Sequence, residues 1–348
     1  MFSSNTVFVV GAGASKEAGF PVGSELTLKI ADLVNIHADY WRLSRGDPYI
    51  FEAMRTLTQS DPQWEKNQFL GSGRSIAEAM DMAVSIDTFL ESHASNPEYV
   101  LIGKLGIVRA IAMAERASKM AQSREGAQPF RIRDLAGTWY TSLVQQLFTT
   151  VPVERPQDAF DGVSFVVFNY DRCLQTFLVR ALEVYFRISN QDAQSIIRKV
   201  PIVHAYGTIG SPFSGEQGYV KFGDESVDLI SASHRIKTFS ESVDSETGET
   251  IKQLVEKADT LVFLGFGFHN QNMELLSPDN RLGIQGGKQY RVFATTYGLS
   301  ESDAQFARDQ ITLMLNHTGG YREAEPRIFM KDGTCSELFQ AYWRSLTA

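Results

Sequence analysis

The amino-acid sequence predicts an α/β fold, namely a doubly wound parallel sheet with helices on both faces and one large helical insertion. Three observations carry this prediction. Short apolar, β-branched runs alternate with helical patterns, which is typical of this class of fold. Several of the runs end abruptly at glycine, asparagine or aspartate, which are the residues of sharp turns. A long stretch after the first strand and helix shows helical spacing alone.

Five apolar runs have the length and composition of strands. The first, residues 6–10 (TVFVV), ends at Gly11 and is typical of a strand buried on both faces of a parallel sheet. The other four are residues 164–168 (SFVVF), 201–203 (PIV), 260–264 (TLVFL) and 290–294 (YRVFA). Helical patterns are predicted at residues 22–33, 171–186, 249–257 and 301–315. The predicted order is completed by a strand after about Arg327 and a final helix over residues 336–346.

Residues 31–150 interrupt this alternation. Segments such as 75–93 and 99–122 carry alanine, methionine, leucine and isoleucine at helical spacing, with no convincing strand between them. We therefore predict a Rossmann-like domain formed by residues 1–30 and 151–348, with residues 31–150 as an all-helical insertion. Because insertions at the carboxyl ends of sheet strands lie above the ligand crevice, this one is expected to cap a cleft.

Composition and charge exclude several classes of protein. The 348 residues include 33 Lys and Arg against 41 Asp and Glu, a net charge of −8, so direct nucleic-acid binding is not expected. Two cysteines, Cys173 and Cys335, are too few for a disulfide scaffold or a four-cysteine zinc ribbon, and no metal is expected. The longest apolar run, residues 261–268, is far shorter than the roughly 20 residues of a membrane span. With no basic leader at its start, the sequence predicts a cytoplasmic protein.

The first predicted strand is followed by a glycine-rich loop, residues 11–15 (GAGAS). Glycines permit a tight turn and let backbone N–H groups approach a pyrophosphate near a helix N-terminus. The next glycine is Gly19, so the spacing is not G-x-G-x-x-G, and no lysine followed by serine or threonine completes a P-loop. The spacing alone therefore leaves two interpretations open, a phosphate-binding loop and a purely structural turn.

Two further predicted strands are followed by polar residues that could bind a ligand or take part in catalysis. Asn169-Tyr170-Asp171 follows the second strand and His204 follows the third, so all are expected at the carboxyl edge of the sheet, where ligands bind. A histidine with an ordinary pKa of about 6.5 can exchange a proton near neutrality. The alternative interpretation is structural, with Asp171 forming an Asx-turn or N-cap and the histidine hydrogen-bonded at a strand end.

The longer string over residues 11–21 (GAGASKEAGFP) resembles the NAD-binding opening of the sirtuin family, GAG-x-S-x-x-x-G-I-P. The Phe-Arg pair that follows this proline in sirtuin deacylases is absent, and residues 22–26 (VGSEL) stand there instead. This variant is more similar to the bacterial sirtuin-like NADases of anti-phage defence. The resemblance implies that NAD is bound by Gly11, Ala12, Gly13, Ser15, Gly19 and Pro21.

The two polar elements resemble the same family. Asn169-Tyr170-Asp171 is similar to the Asn-Ile-Asp of sirtuins and to the Asn-Tyr-Asp of their NADase relatives. The resemblance implies that Asn169 positions the attacking water and that Asp171 contacts nicotinamide or its ribose. It also implies that His204 is the base that engages the ribose hydroxyls. In sirtuins a glycine follows this histidine directly, whereas here two residues separate His204 from Gly207.

A second glycine pair follows the fourth predicted strand. Residues 264–268 (LGFGF) resemble the Gly-Thr-Ser stretch of sirtuins and the corresponding stretch of the NADase branch. The resemblance implies that Gly265 and Gly267 let the adenosine half of NAD lie against the backbone. Asn272 stands where the NADase branch carries Asn or Asp, and it is therefore a further candidate NAD contact.

The departures from sirtuin deacylases point to water as the acceptor. Residues 220–224 (VKFGD) resemble the strand after the zinc module of sirtuins, but the seventeen residues between His204 and Phe222 are too few for a zinc ribbon. The resemblance therefore implies an NAD+ glycohydrolase with NAD+ as substrate, acting in anti-phage defence and latent until activated. It also implies a homo-oligomer and a HerA-type ATPase partner. The alternatives are a sirtuin-type deacylase or ADP-ribosyltransferase, and a non-catalytic sensor of NAD or ADP-ribose.

Overall fold

The computed structural model describes residues 2, 5–39, 42–61, 64–121, 129–243, 245–278, 290–316 and 327–347. The strands in this part of the chain are β1 (Thr6–Val10), β2 (His37–Asp39), β3 (Arg42–Arg45), β4 (Val163–Val167), β5 (Ile202–His204), β6 (Thr260–Leu264), β7 (Arg291–Thr295) and β8 (Arg327–Lys331). Six of them form a parallel sheet in the order β5-β4-β1-β6-β7-β8. Counted along the chain, these six strands lie in the order 3-2-1-4-5-6, which defines the Rossmann-type sheet.

Helices separate the strands of this sheet and cover its faces. They are α1 (Ala12–Ser15), α2 (Gly23–Val34), α3 (Pro48–Ser60), α4 (Lys66–Ala79), α5 (Ile86–Ser92), α6 (Pro97–Ala117), α7 (Trp139–Phe148), α8 (Cys173–Phe186), α9 (Asn190–Ile197), α10 (Leu229–Ser233), α11 (Phe239–Val243), α12 (Glu246–Lys257), α13 (Asn270–Leu276), α14 (Glu301–Asn316) and α15 (Cys335–Ala341). Short 3-10 helices lie at Lys16–Ala18, Ile132–Leu135 and Pro156–Phe160. The predicted α/β fold class with a doubly wound parallel sheet is confirmed.

β1 shows why the sheet strands are continuous apolar runs in the sequence. Val7 and Val9 belong to the hydrophobic core on one face of the sheet, and Phe8 and Val10 belong to the core on the other. A strand covered by helices on both faces needs apolar side chains at every position. The first and fourth predicted runs coincide with β1 and β6, and the other three are displaced by one residue.

The expectation that the insertion is all-helical is wrong at one place. β2 and β3 form a short antiparallel hairpin, in which Ala38 pairs with Leu43 and both side chains pack against the larger core. These strands have three and four residues and their remaining side chains are mostly exposed. So short an alternation of polar and apolar residues gives too weak a pattern to distinguish from a loop.

The insertion packs closely on the sheet. Ile50 of α3 and Ile107 of α6 belong to the same core as Val9, whereas Trp139 of α7 packs into the opposite core with Phe8. Its helices therefore contribute to both layers that cover the sheet, and the domain boundary at residues 31–150 stays a prediction. In the described ranges no helix is long and apolar enough to cross a membrane.

Candidate active site

The predicted site residues follow four strands that are neighbours in the sheet. Gly11 follows β1 directly, Asn169 lies just after β4, His204 ends β5 and Gly265 follows β6 directly. Because the strands are parallel, their carboxyl ends meet at one edge, and the four segments come together there. The prediction that these residues lie together at the carboxyl edge of the sheet agrees with the structure, and their function stays a prediction.

Glycines pack the loop after β1 against the loop after β6. The Gly11 N–H donates to the Leu264 carbonyl and the Gly13 N–H to the Gly265 carbonyl, each at 2.9 Å. A Cβ on Gly11 would lie 2.4 Å from the Gly265 oxygen, which is closer than atoms can approach. Both glycines therefore allow a close approach of two backbones. Two of the N–H groups expected to face a pyrophosphate already have partners within the protein.

The other residues predicted in this loop lie at or near the ends of short helical segments. Ala12 begins α1, Gly19 ends the following 3-10 helix, and Pro21 stands two residues before α2. At Gly19 φ is +94°, a left-handed conformation that favours glycine at the end of a helical turn. This glycine is required by the chain reversal itself, whether or not a ligand binds nearby.

We expect Gly265→Ala to destabilise the protein strongly. At Gly265 φ is +55° and a Cβ would lie 2.1 Å from the Ala14 nitrogen, so the two loops would have to separate. Overpacking costs about 1–3 kcal/mol and the left-handed conformation about 1–2 kcal/mol more. At Gly23, the matched control, a Cβ meets nothing within 4 Å, and Gly23→Ala should change the free energy of unfolding by less than about 1 kcal/mol. Urea unfolding compares the two variants, and equal losses would contradict the close packing.

Three predicted residues form one buried hydrogen-bonded network. Ser15 Oγ donates to Asp171 Oδ2 at 2.8 Å and accepts from Asn169 Nδ2 at 2.9 Å. Asn169 Nδ2 also donates to the Gly11 carbonyl at 3.0 Å, and all three side chains belong to residues that are at most 5% exposed. Asp171 Oδ1 accepts from the Cys173 N–H at 3.0 Å, as an Asx-turn would require. The network therefore joins the loops after β1 and β4, and Asp171 also has the structural role that the sequence left open.

One polar atom of this network, Asn169 Oδ1, has no hydrogen-bond partner. Asn169 donates both amide hydrogens through Nδ2, whereas its Oδ1 is buried and has no hydrogen-bond partner. A buried acceptor without a donor is unfavourable by about 1–3 kcal/mol unless water or a ligand supplies one. Asn169 Oδ1 is thus suited to accept a hydrogen from a bound water or hydroxyl group.

His204 is held at both ring nitrogens. Its Nδ1 donates to the Asn169 carbonyl at 3.1 Å, and its Nε2 accepts from Gln175 Nε2 at 2.6 Å. These partners assign the neutral tautomer with hydrogen on Nδ1, because a backbone carbonyl can only accept. Burial lowers the pKa of His204, while the Asn169 carbonyl acts in the opposite direction. The histidine therefore carries a lone pair on Nε2, and that lone pair is engaged by Gln175.

The remaining predicted contacts lie after β6. Gly267 is exposed, and a Cβ there would lie 2.9 Å from Nε2 of His269, whose ring folds back over it. Asn272 Oδ1 accepts from the Tyr206 hydroxyl at 2.5 Å, so this residue contacts the segment after β5. Gly265 donates its N–H to Thr295 Oγ1 at 2.8 Å, which fixes the loop against the end of β7. The contacts of Gly267 and Asn272 thus lie outside the Ser15–Asn169–Asp171 network.

A buried ion pair beside this network was missed from the sequence. Arg172 follows Asp171 directly, and its guanidinium pairs with Glu115 of α6, with Nε 2.8 Å from Oε1 and both side chains fully buried. Arg172 also donates to backbone carbonyls of the segment after β5, including that of Val220. An arginine directly after the Asn-Tyr-Asp element was a visible signal, whereas nothing in the sequence distinguished Glu115.

Residues 220–224, which resemble a strand of sirtuins, do not form a strand in this structure. In the structure this segment forms turns, and Gly223 has a φ of +74°. The carbonyls of Val220 and Lys221 accept from Arg172 instead of from a neighbouring strand, and the Gly223 N–H donates to Glu115 at 3.0 Å. The buried ion pair thus takes the place of a strand partner for this segment.

The insertion also reaches the carboxyl edge. Tyr170, in the middle of the Asn-Tyr-Asp element, donates its hydroxyl to the carboxylate of Asp87 on α5. Burial raises the pKa of Asp87, and the tyrosine hydroxyl counteracts this. With the Glu115–Arg172 pair, this contact gives the insertion two polar attachments next to the candidate site, and its role as a cap stays a prediction.

Two comparisons with known proteins found no match. The sequence matches no protein-family model, and no curated protein matches it. In the part of the chain that the structure describes, no group of three or more His, Cys, Asp or Glu side chains is arranged to hold a metal ion. What the protein does must therefore be inferred from the arrangement of Ser15, Asn169, Asp171 and His204.

Proposed function

We propose that this protein is a sirtuin-like NAD+ glycohydrolase, which cleaves NAD+ to nicotinamide and ADP-ribose with water as the acceptor. One observation carries the proposal. The buried Ser15–Asn169–Asp171 network joins the glycine loop after β1 to the loop after β4 and leaves Asn169 Oδ1 unpaired. An unpaired acceptor at the carboxyl edge of a Rossmann-type sheet lies where such folds bind nucleotides.

The reaction needs little acid–base chemistry. The bond between ribose C1 and the nicotinamide nitrogen breaks with its electron pair going to nicotinamide, which leaves neutral because its ring was cationic in NAD+. Water then bonds to the oxocarbenium-like C1 and releases a proton, so NAD+ and water give nicotinamide, ADP-ribose and H+. No general acid is required for the leaving group. The protein contributes positioning and electrostatic stabilisation.

Each residue of the site has a proposed role in this reaction. Asn169 Oδ1 accepts a hydrogen from the attacking water and so orients its oxygen toward C1. Asp171 places a negative charge near the positive charge that develops on the ribose. His204 engages the ribose hydroxyls through Nε2, the ring nitrogen that bears the lone pair. No step in this scheme involves a metal ion.

A second candidate function is a non-catalytic sensor of NAD or ADP-ribose. It is favoured by one observation, namely that both ring nitrogens of His204 are engaged by protein groups. A sensor would bind the nucleotide at the same edge of the sheet without consuming it. A deacylase or ADP-ribosyltransferase would instead consume NAD+ only when an acyl-lysine or protein acceptor is present.

An enzyme that destroys NAD+ in the cytoplasm harms its own cell unless it is held silent. We therefore propose an anti-phage defence effector that is latent until activated. The insertion is one means of control, because Asp87 on α5 contacts Tyr170 beside the site. A homo-oligomer and a HerA-type ATPase partner are the other two proposed means.

Proton NMR of NAD+ mixed with an equal concentration of the pure protein tests the proposal. We expect nicotinamide and ADP-ribose to appear together without any peptide, and even a latent enzyme should show slow turnover at this ratio. Cleavage that requires an acyl-peptide would favour the deacylase. Intact NAD+ with saturation transfer from the protein would favour the sensor, and intact NAD+ without it would refute an NAD site.

A further inference from the structure

The side chain of Gln175 on α8 contacts His204, the proposed base, directly. Its Nε2 lies 2.6 Å from Nε2 of His204, and the residue is 7% exposed. Its other polar atom, Oε1, is buried without a hydrogen-bond partner. No sequence motif singled out Gln175. A buried amide with one end on a catalytic candidate and the other end unpaired requires an explanation.

The chemistry of this contact depends on the protonation of His204. Nδ1 donates to the Asn169 carbonyl, so the neutral ring offers only the lone pair on Nε2, and only the NH2 end of Gln175 can pair with it. A protonated ring would offer N–H at Nε2 and would need the Oε1 end instead. The present arrangement therefore stabilises the neutral histidine and occupies the lone pair that a substrate hydroxyl would use.

Two charged groups act on the ring, and they oppose each other. Asp171 raises the pKa of His204 and Arg172 lowers it, and both lie in the segment that joins β4 to α8. The Asn169 carbonyl and the Gln175 amide are the direct partners. Because the charges oppose, the direct partners and burial determine which form of the ring is favoured.

We propose that Gln175 is a positioning residue that fixes His204 in the neutral, Nδ1-protonated form and withholds Nε2 until a bound ribose displaces the amide. The second half of this inference rests on the proposed NAD+ glycohydrolase, whereas the first half does not. Space for the displacement lies next to the residue, since Gln175 and Thr176 line a cavity of ≈ 180 Å³ beside α8.

Histidine NMR tests the first half without NAD+. In 1H–15N spectra of the whole protein, with the signal assigned by its loss in His204→Gln, we expect the Nδ1-protonated tautomer. Gln175→Leu removes the donor to the neutral ring, so His204 should titrate at higher pH, and at still higher pH in Gln175→Glu, whose carboxylate favours the protonated ring. An Nε2-protonated ring in the native protein, or an unchanged titration in Gln175→Leu, would overturn the inference.

Gln146→Leu is the matched control. Gln146 is also a buried glutamine with an unpaired Oε1, but its Nε2 donates to the Trp343 carbonyl at 2.8 Å instead of to a histidine. This variant should leave the titration of His204 unchanged. If Gln175→Leu folds poorly, Gln175→Met supplies an apolar side chain of similar length for the same measurement.

Single-turnover cleavage of NAD+ tests the second half. Gln175→Leu should cleave NAD+ about two- to tenfold faster than the native protein, the equivalent of one net hydrogen bond that no longer has to be broken. A rate that is equal or lower would show that Gln175 does not withhold Nε2. If no variant cleaves NAD+, the proposed function fails, and the histidine spectra still decide the role of Gln175.

Discussion

Glu115→Gln should lower the free energy of unfolding by about 3–5 kcal/mol, because it leaves the buried charge of Arg172 without its partner. Both side chains of this pair are fully buried, and the contact is bidentate through Nε and a terminal nitrogen. Water cannot solvate the arginine at this depth, and glutamine supplies no compensating charge. The substitution also weakens the acceptor for the Gly223 N–H.

Urea unfolding followed by tryptophan fluorescence measures this loss. Glu52→Gln is the matched control, since the Glu52–Arg55 pair on α3 is about half exposed and should contribute about 0–1 kcal/mol. The effects of Glu115→Gln and Arg172→Met should be less than additive by about 1–3 kcal/mol, because each removes the same interaction. A loss from Glu115→Gln no larger than that from Glu52→Gln would show that the pair does not hold this region together.

The Glu115–Arg172 pair also shows where sequence reasoning reached its limit. The strands were predictable because a run such as Thr260–Leu264 is apolar after its first residue and is followed by a glycine, which is a local property of the chain. A buried arginine paired with a glutamate 57 positions away depends on how α6 crosses the segment after β4. The same limit explains why residues 220–224 resemble a sirtuin strand but form turns here, since the carbonyls of Val220 and Lys221 accept from Arg172.

For the candidate site, the sequence could predict which residues lie near one another but not their hydrogen-bond partners. Parallel strands bring their carboxyl ends together, so Ser15, Asn169 and Asp171 could be expected near one another from their positions after β1 and β4. The sequence could not show that the N–H groups of Gly11 and Gly13 are engaged by the loop after β6. Hydrogen-bond partners across a sheet edge depend on distances of a few tenths of an ångström, which residue spacing does not determine.

Asn169→Ala should reduce the rate of NAD+ cleavage by about 10²- to 10³-fold, a loss typical of removing one positioned polar group from an active site. The substitution removes the unpaired Oδ1 that we propose to orient the attacking water. It also removes the donor to the Gly11 carbonyl and to Ser15 Oγ, so part of the loss could come from disorder of the loop. A second variant is needed to separate these two effects.

Ser15→Ala makes that separation, because it breaks the same network and leaves Asn169 Oδ1 in place. If water is oriented by Oδ1, Ser15→Ala should retain about a tenth or more of the activity, whereas Asn169→Ala should not. Asn190→Ala, at an exposed asparagine that begins α9, should cleave NAD+ at the native rate. Equal losses from the Ser15 and Asn169 variants would assign the asparagine a role in loop structure alone. The attacking water would then have to be held by another group at this edge of the sheet.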